Sequence, residues 1–322
     1  MRARCAGWFC WLLVSCSAVP VSSPKLTTTE SRLGASPGFS ETTITAVDGL
    51  KLYARAWSPQ GVARANFVIV HGLREHGDRY RALGRELNRR GIAVYAMDLR
   101  GHGRSEGRPA TIDKLARHAD DLDVFIAKVR AESSAPLFVF GHSMGGAVAA
   151  LYAERPSTRI DGLVLSAPAL ELFVSPPEAC GANLLADFAP DAPAFEIDMR
   201  QWSRRNEVVD ENERDPLVYQ HALPASTAVA LIEGADEAMH EAPFVRVPLL
   251  AIHGGADGIT DPEGSKTFVA TSRSSDKIVR IYPGLYHDLW HEPERAQLTK
   301  DLIDWLNGRL PIIDGQGEGG DE

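Results

Sequence analysis

Three things are scarce in this chain, and each scarcity removes a class of function. Lysine and arginine form no cluster in the body of the sequence and the formal net charge is −9, so no basic surface is offered to a phosphate backbone. Nucleic acid is thereby set aside as a partner. Long apolar runs are also wanting: the run at 6–14 has nine residues, far short of the ~20 that span a bilayer as a helix. Cysteine is sparse, with four in 322 residues. Cys5 and Cys10 fall in the N-terminal apolar segment and Cys16 at its end, which leaves Cys180 without an expected partner in a processed chain and excludes a disulfide scaffold. No internal repeat is visible. What remains is 44% apolar, enough at this length for one large core.

The first sixteen residues read as an export signal, because Arg2 and Arg4 precede the short apolar run. The run ends in Leu13-Val14-Ser15-Cys16, which resembles a bacterial lipobox in which Cys16 would carry lipid. Cleavage near Ala18, giving a secreted protein, is the other reading. Residues 17–40 are rich in Ser, Thr, Pro and Gly and suit a flexible tether. The Gly-rich acidic tail within 311–322 suits disorder. A cell-envelope location, at a membrane surface or free of it, is the expectation.

Between tether and tail, short β-branched or aromatic runs alternate with amphipathic stretches. Strands are predicted at 67–70, 93–97, 137–140, 163–165, 249–252 and 278–282; helices at 79–90, 114–130, 145–153 and 295–306. Such alternation predicts an α/β fold, a mostly parallel sheet flanked by helices with ligands at the carboxyl ends of its strands. The pattern lapses between Ala167 and Val247, where prolines and apolar residues accompany a helical stretch near 225–238. An insertion of this length predicts a helical cap, about 168–240, over a site in the domain 41–310.

Gly-x-Ser-x-Gly occurs twice, around Ser143 and around Ser105. The motif works when a strand enters a sharp turn and a helix leaves it, lifting the hydroxyl clear of the sheet. At Ser143 a predicted strand abuts Gly141, and Gly145-Gly146-Ala147 opens a helix; at Ser105 the neighbours are charged and Pro109 follows. Ser143 is the candidate nucleophile and Ser105 a structural residue. A hydroxyl needs a His base oriented by a carboxylate. In chain order Ser, acid, His, the candidates are Asp257 after the strand at 249–252 and His287 after that at 278–282. Asp261, followed by Pro262, reads instead as a helix cap. His291 stands four residues after His287, a metal-ligand spacing, yet no His-Glu-x-x-His or third ligand follows, so neither metal nor cofactor is expected. Backbone N–H groups of Leu73 and Met144 are the expected oxyanion donors, and His71 is read as fixing the turn.

Taken together, His71-Gly72-Leu73-Arg74-Glu75-His76-Gly77-Asp78-Arg79-Tyr80, Asp98-Leu99-Arg100-Gly101-His102-Gly103-Arg104-Ser105 and Gly141-His142-Ser143-Met144-Gly145-Gly146 resemble the monoacylglycerol lipase and lysophospholipase branch of the α/β-hydrolases, of the serine aminopeptidase S33 type. The similarity extends through Asp215-Pro216-Leu217, Gly254-Gly255-Ala256-Asp257 and Gly284-Leu285-Tyr286-His287, over about 41–308. The resemblance implies the same nucleophile, acid, base and oxyanion donors, a small lipid ester as substrate, and hydrolysis of single-chain lipids such as monoacylglycerol or lysophospholipid. Another acyl substrate (a short ester, thioester or peptide) and a non-catalytic binding protein on this fold are the rival readings. Leu73 departs from the small residue often found at its position in the branch, which implies a narrower acyl pocket.

Overall fold

The computed structural model describes residues 33–34 and 37–310. Cys16, the signal at 1–16, most of the tether and the tail at 311–322 lie outside the described residues. Ten strands run in chain order: β1 (Gly38–Thr45), β2 (Lys51–Ser58), β3 (Ala65–Val70), β4 (Ile92–Met97), β5 (Leu137–His142), β6 (Gly162–Ser166), β7 (Pro193–Phe195), β8 (Leu223–Pro224), β9 (Leu249–Gly254) and β10 (Lys277–Tyr282). Nine α-helices accompany them: α1 (Arg81–Asn88), α2 (Leu115–Glu132), α3 (Met144–Ala153), α4 (Pro176–Phe188), α5 (Met199–Trp202), α6 (Asn206–Arg214), α7 (Ala225–Glu241), α8 (Pro262–Thr271) and α9 (Arg295–Asn307), all counted among the described residues.

Eight strands form one sheet in the order β1-β2-β4-β3-β5-β6-β9-β10. β2 is antiparallel to both neighbours, and every pairing from β4 to β10 is parallel. Strands β3, β4, β5, β6 and β9 are buried along their whole length, as their unbroken apolar sequences require when helices cover both faces. Residues of α2, α3, α7 and α8 complete the core on one face, and residues of α1 and α9 that on the other. Each fully buried Leu or Phe contributes roughly 1.5–3 kcal/mol to holding these layers together. The chain passes from β3 out to β4 and returns to lay β5 on the other side of β3. The loops after β3 and β5 therefore diverge and leave a crevice at the carboxyl edge of the sheet.

All six predicted strands are present. The β1–β2 hairpin was not anticipated. Its first strand is an edge with polar outward residues, and its second carries Arg55, buried against Asp78 at 2.6 Å and Asp98 at 3.4 Å. Its one sequence signal is Asp48-Gly49 in the connecting turn, with Gly49 at φ 89°.

Between β6 and β9 the insertion folds as α4, the β7–β8 pair, α5 and α6, followed by α7. Helix α4 starts at a capping box formed by Ser175 and Glu178 and has no buried residue. It packs on α7, which also packs against α2 and α3 and so joins insertion to body. Cys180, in α4, is not the partnerless thiol that the sequence led us to expect. It is disulfide-bonded. The expectation assumed removal or acylation of the three N-terminal cysteines. No helix among the described residues is long and apolar enough to cross a membrane.

Candidate active site

Ser143 sits between β5 and α3 with φ 53° and ψ −122°, in a region that L-residues rarely enter. The glycines around it are there for want of space. A Cβ on Gly145 would lie 2.3 Å from the carbonyl oxygens of Val70 and His71, one on Gly141 would lie 2.3 Å from the Gly145 carbonyl oxygen, and one on Gly146 would meet Pro168 at 2.7 Å. Strand and helix can cross this closely only without side chains, and that crossing turns the Ser143 hydroxyl outward.

Asp257 and His287 are brought together across 30 residues of chain, with His287 Nδ1 2.7 Å from Asp257 Oδ2. The carboxylate is well fixed: Oδ1 accepts from the Ile259 and Thr260 N–H groups at 2.8 and 3.0 Å, and Oδ2 also accepts from Thr260 Oγ1 at 3.0 Å. Burial opposes its charge, but His287 and His253 outweigh burial and hold its pKa far below the usual carboxylate range. Burial likewise opposes protonation of His287, yet the Asp257 charge and hydrogen bond leave its pKa above the ordinary imidazole value. His142, whose ring centre is 4.9 Å from that of His287, is pushed down to about 4 by burial and by the His287 charge. His142 is therefore neutral near pH 7.

Ser143, His287 and Leu73 border one small cavity of about 20 Å³. Ser143, Leu73 and Met144 also line a larger cavity of about 580 Å³ that extends under the insertion, where Leu172, Phe173, Leu185 and Phe195 supply apolar wall. Met144 opens α3, so its N–H is among the donors that a helix start leaves without an intrahelical partner. The turn bearing Leu73 is braced by Glu75, a buried carboxylate that accepts from Gly72 N–H at 2.6 Å and from Tyr80 OH at 2.8 Å. Arg79 joins Glu75 to Asp288, at 3.1 and 3.0 Å, and lies over the Trp202 ring at 4.5 Å. The turns carrying Leu73 and His287 are thus tied to each other and to the insertion. Glu292, fully buried, adds a second tie by accepting from Ser203 Oγ and from the backbone and side chain of Arg204.

The residues weighed as rivals lie elsewhere. Ser105 is buried, donating to the Asp98 carbonyl and accepting from Tyr53 N–H. Asp261 caps α8, its carboxylate accepting from Glu263 N–H at 2.9 Å. His71 bonds the Gly72 carbonyl through Nδ1 and accepts from Leu99 N–H at 2.9 Å. His291 joins Asp288 at 2.7 Å and the Arg79 carbonyl at 3.0 Å. No group of three or more His, Cys, Asp or Glu among the described residues could hold a metal ion. Sequence reasoning missed Glu75, Arg79 and His253. The first two stand inside a quoted motif, but nothing in their spacing told that they would face each other below the site.

Sheet order, elbow and the pairing of a strand-end acid with a strand-end histidine define the class of protein as an α/β-hydrolase. The family model described as Serine aminopeptidase, S33 matches residues 61–294. The chain is 33% identical over 274 residues to a monoacylglycerol lipase of Mycolicibacterium smegmatis, covering 84% of this chain and 98% of that one. It is 31% identical over 267 residues to the monoglyceride lipase of Homo sapiens, covering 81% and 86%. The crystal structure of the Paleococcus ferrophilus monoacylglycerol lipase matches it with a TM-score of 0.72 at 30% identity, covering 80% of this chain and 99% of that one. The chain belongs to the serine aminopeptidase S33 family and is a serine hydrolase.

Proposed function

We propose that the protein hydrolyses carboxylic esters of single-chain lipids, monoacylglycerols foremost, through an acyl-enzyme on Ser143. The observation that carries this reading is the cavity of about 580 Å³ that opens on Ser143 and is walled by apolar residues of the insertion, a shape and chemistry suited to one acyl chain. The names borne by the relatives in Mycolicibacterium smegmatis and Homo sapiens point the same way. In the first half-reaction His287 takes the Ser143 proton as the oxygen attacks the ester carbon. Asp257 holds the imidazole with Nδ1–H toward the carboxylate and stabilises the imidazolium. The N–H groups of Leu73 and Met144 receive the oxyanion. His287 then protonates the leaving alcohol. The small cavity shared by Ser143 and His287, about 20 Å³, has room on the order of one water, which His287 would activate to release the fatty acid.

The test is kcat/KM across monoacylglycerols and p-nitrophenyl esters of rising chain length. Preference for long single chains is expected, and a rate confined to acetyl and propionyl esters would replace a lipid substrate with a short ester. One feature favours a peptidase instead: the carboxylates of Glu178, Glu196 and Asp198 line the large cavity and would suit an N-terminal ammonium. Aminoacyl arylamides are the probe, and turnover exceeding that of the esters would establish that alternative.

For location, the reading is a lipid on Cys16 holding the domain at an envelope membrane, motivated by Leu13-Val14-Ser15-Cys16 after a short apolar run. Cys16→Ser should move the protein to the soluble fraction or block its processing. If wild type and variant are both soluble and begin at the same residue beyond Cys16, secretion replaces anchoring.

A further inference from the structure

Asp257 has two imidazoles on one oxygen. Oδ2 takes His287 Nδ1 at 2.7 Å and also lies 3.1 Å from Nε2 of His253, a fully buried residue next to the end of β9. The tautomer of His253 follows from its surroundings. Nε2 faces the Asp257 carboxylate and, at 3.2 Å, the Thr260 carbonyl, and both only accept, so the proton is on Nε2. Nδ1 is then an acceptor, and the Ser265 hydroxyl of α8, 2.7 Å away, donates to it. Ser265, His253, Asp257 and His287 form one continuous chain of hydrogen bonds that ends beside Ser143.

We propose that His253, held in one tautomer by the Asp257 carboxylate and the Thr260 carbonyl and steadied at Nδ1 by Ser265, is a positioning residue for the hydrolytic reaction, fixing the Asp257 carboxylate and drawing part of its charge away from His287. The inference rests on the reading of Asp257 as the acid. Nothing in the proposed chemistry uses His253 directly, and it lines neither of the cavities at Ser143. Its effect is transmitted because a carboxylate oxygen that accepts a second charge-assisted hydrogen bond offers less to the first.

The sign of that effect separates positioning from mere packing. The groups acting on His287 are Asp257, Asp288 and Glu75, which favour its charge, and the neighbouring His142. Removing the His253 donor leaves all of these in place and concentrates the Asp257 charge on His287. The acid limb of kcat/KM in His253→Leu should therefore move to higher pH, by about half a unit. The value of kcat should fall about tenfold with KM within twofold, in the range that outer partners of metal ligands command when removed. His253→Gln, whose amide can donate, should restore both. Ser265→Ala removes the hydroxyl that holds Nδ1, loosening the ring against Asp257, and should shift the limb in the same direction by less. The measurements are pH profiles on a soluble ester, with fluorophosphonate labelling of Ser143 and thermal melting as checks on the fold. A limb that stays put or moves down in His253→Leu would show that the residue only packs, and the proposal fails. Should His253→Leu not fold, Ser265→Ala decides: an upward shift supports the proposal and an unmoved limb overturns it. Full activity in Asp257→Asn would fail the acid assignment instead, a result read separately from either variant.

Discussion

A hydroxyl near neutral pH is a poor nucleophile, so the reactivity proposed for Ser143 would be a property of its neighbours and each of them can be removed in turn. Ser143→Ala should lower kcat by more than about a thousandfold while leaving the melting temperature near that of wild type, since the side chain is small and its neighbours carry the packing; retention of a hundredth of the rate would name another nucleophile. Asp257 and Asp261 offer an internal comparison. Asp257→Asn should cost about ten-thousandfold in kcat, as in the serine proteases, because an amide lets the imidazole take the wrong tautomer. Asp261→Ala should keep its activity and lose about 1 kcal/mol of stability, the ordinary worth of a helix cap; a crippled Asp261→Ala would reverse the two roles. His287, as the proposed base, would work only when neutral. Because the His287 pKa is raised, kcat/KM should rise with pH through a limb above about 6.5, the unperturbed imidazole value. A limb below that value would contradict the pairing with Asp257.

Among the elements, what was legible in the sequence was whatever expresses itself locally. Central strands such as β5 and β9 announce themselves because burial on both faces demands unbroken apolar runs, and the elbow does so because glycine alone fits where α3 crosses β3 and β5. Asp257 and His287 could be picked out because a strand end precedes each of them in the chain. The ties between elements left no such trace. Glu75, Arg79 and Asp288 are ordinary charged residues until folding buries them together, and Glu292 has no local cue yet is fully buried against Arg204. Edge strand β1 and helix α4 were missed for the opposite reason: they bury too little to impose a pattern. The tie at Glu292 can be tested as an element-scale device. Glu292→Ala should strand the buried Ser203 hydroxyl and unpair the exposed Arg204, lower stability by about 1–3 kcal/mol and raise KM for a long-chain ester severalfold with little change on p-nitrophenyl acetate. Equal effects on both substrates would mean that the tie supports the turn of His287 and not the insertion.

At the scale of the whole molecule, buried neutral histidines make stability a function of pH. Burial, reinforced by neighbouring histidines, holds His102 and His142 at about 4 and His118 at about 3, whereas each would titrate near 6.5 in the unfolded chain. Folded-state values below unfolded ones mean that unfolding takes up protons, so stability present at pH 7 is lost as the pH falls below about 6.5. Three such groups give a slope of up to about 4 kcal/mol per pH unit toward pH 4. His287, raised, titrates above this window. The urea midpoint should therefore fall steeply from pH 6.5 to 5, and an unchanged midpoint would refute the burial of these rings as neutral species. The backbone at Ser143 bears on the same quantity from the other side. A serine held at φ 53° and ψ −122° keeps about 1–3 kcal/mol of conformational strain in the folded state, which glycine would relieve at some loss of unfolded-state order. Ser143→Gly should then be inactive and yet resist urea better than Ser143→Ala. The hydrolase would be a more durable object without its proposed nucleophile, and selection for activity is what would keep it from becoming one.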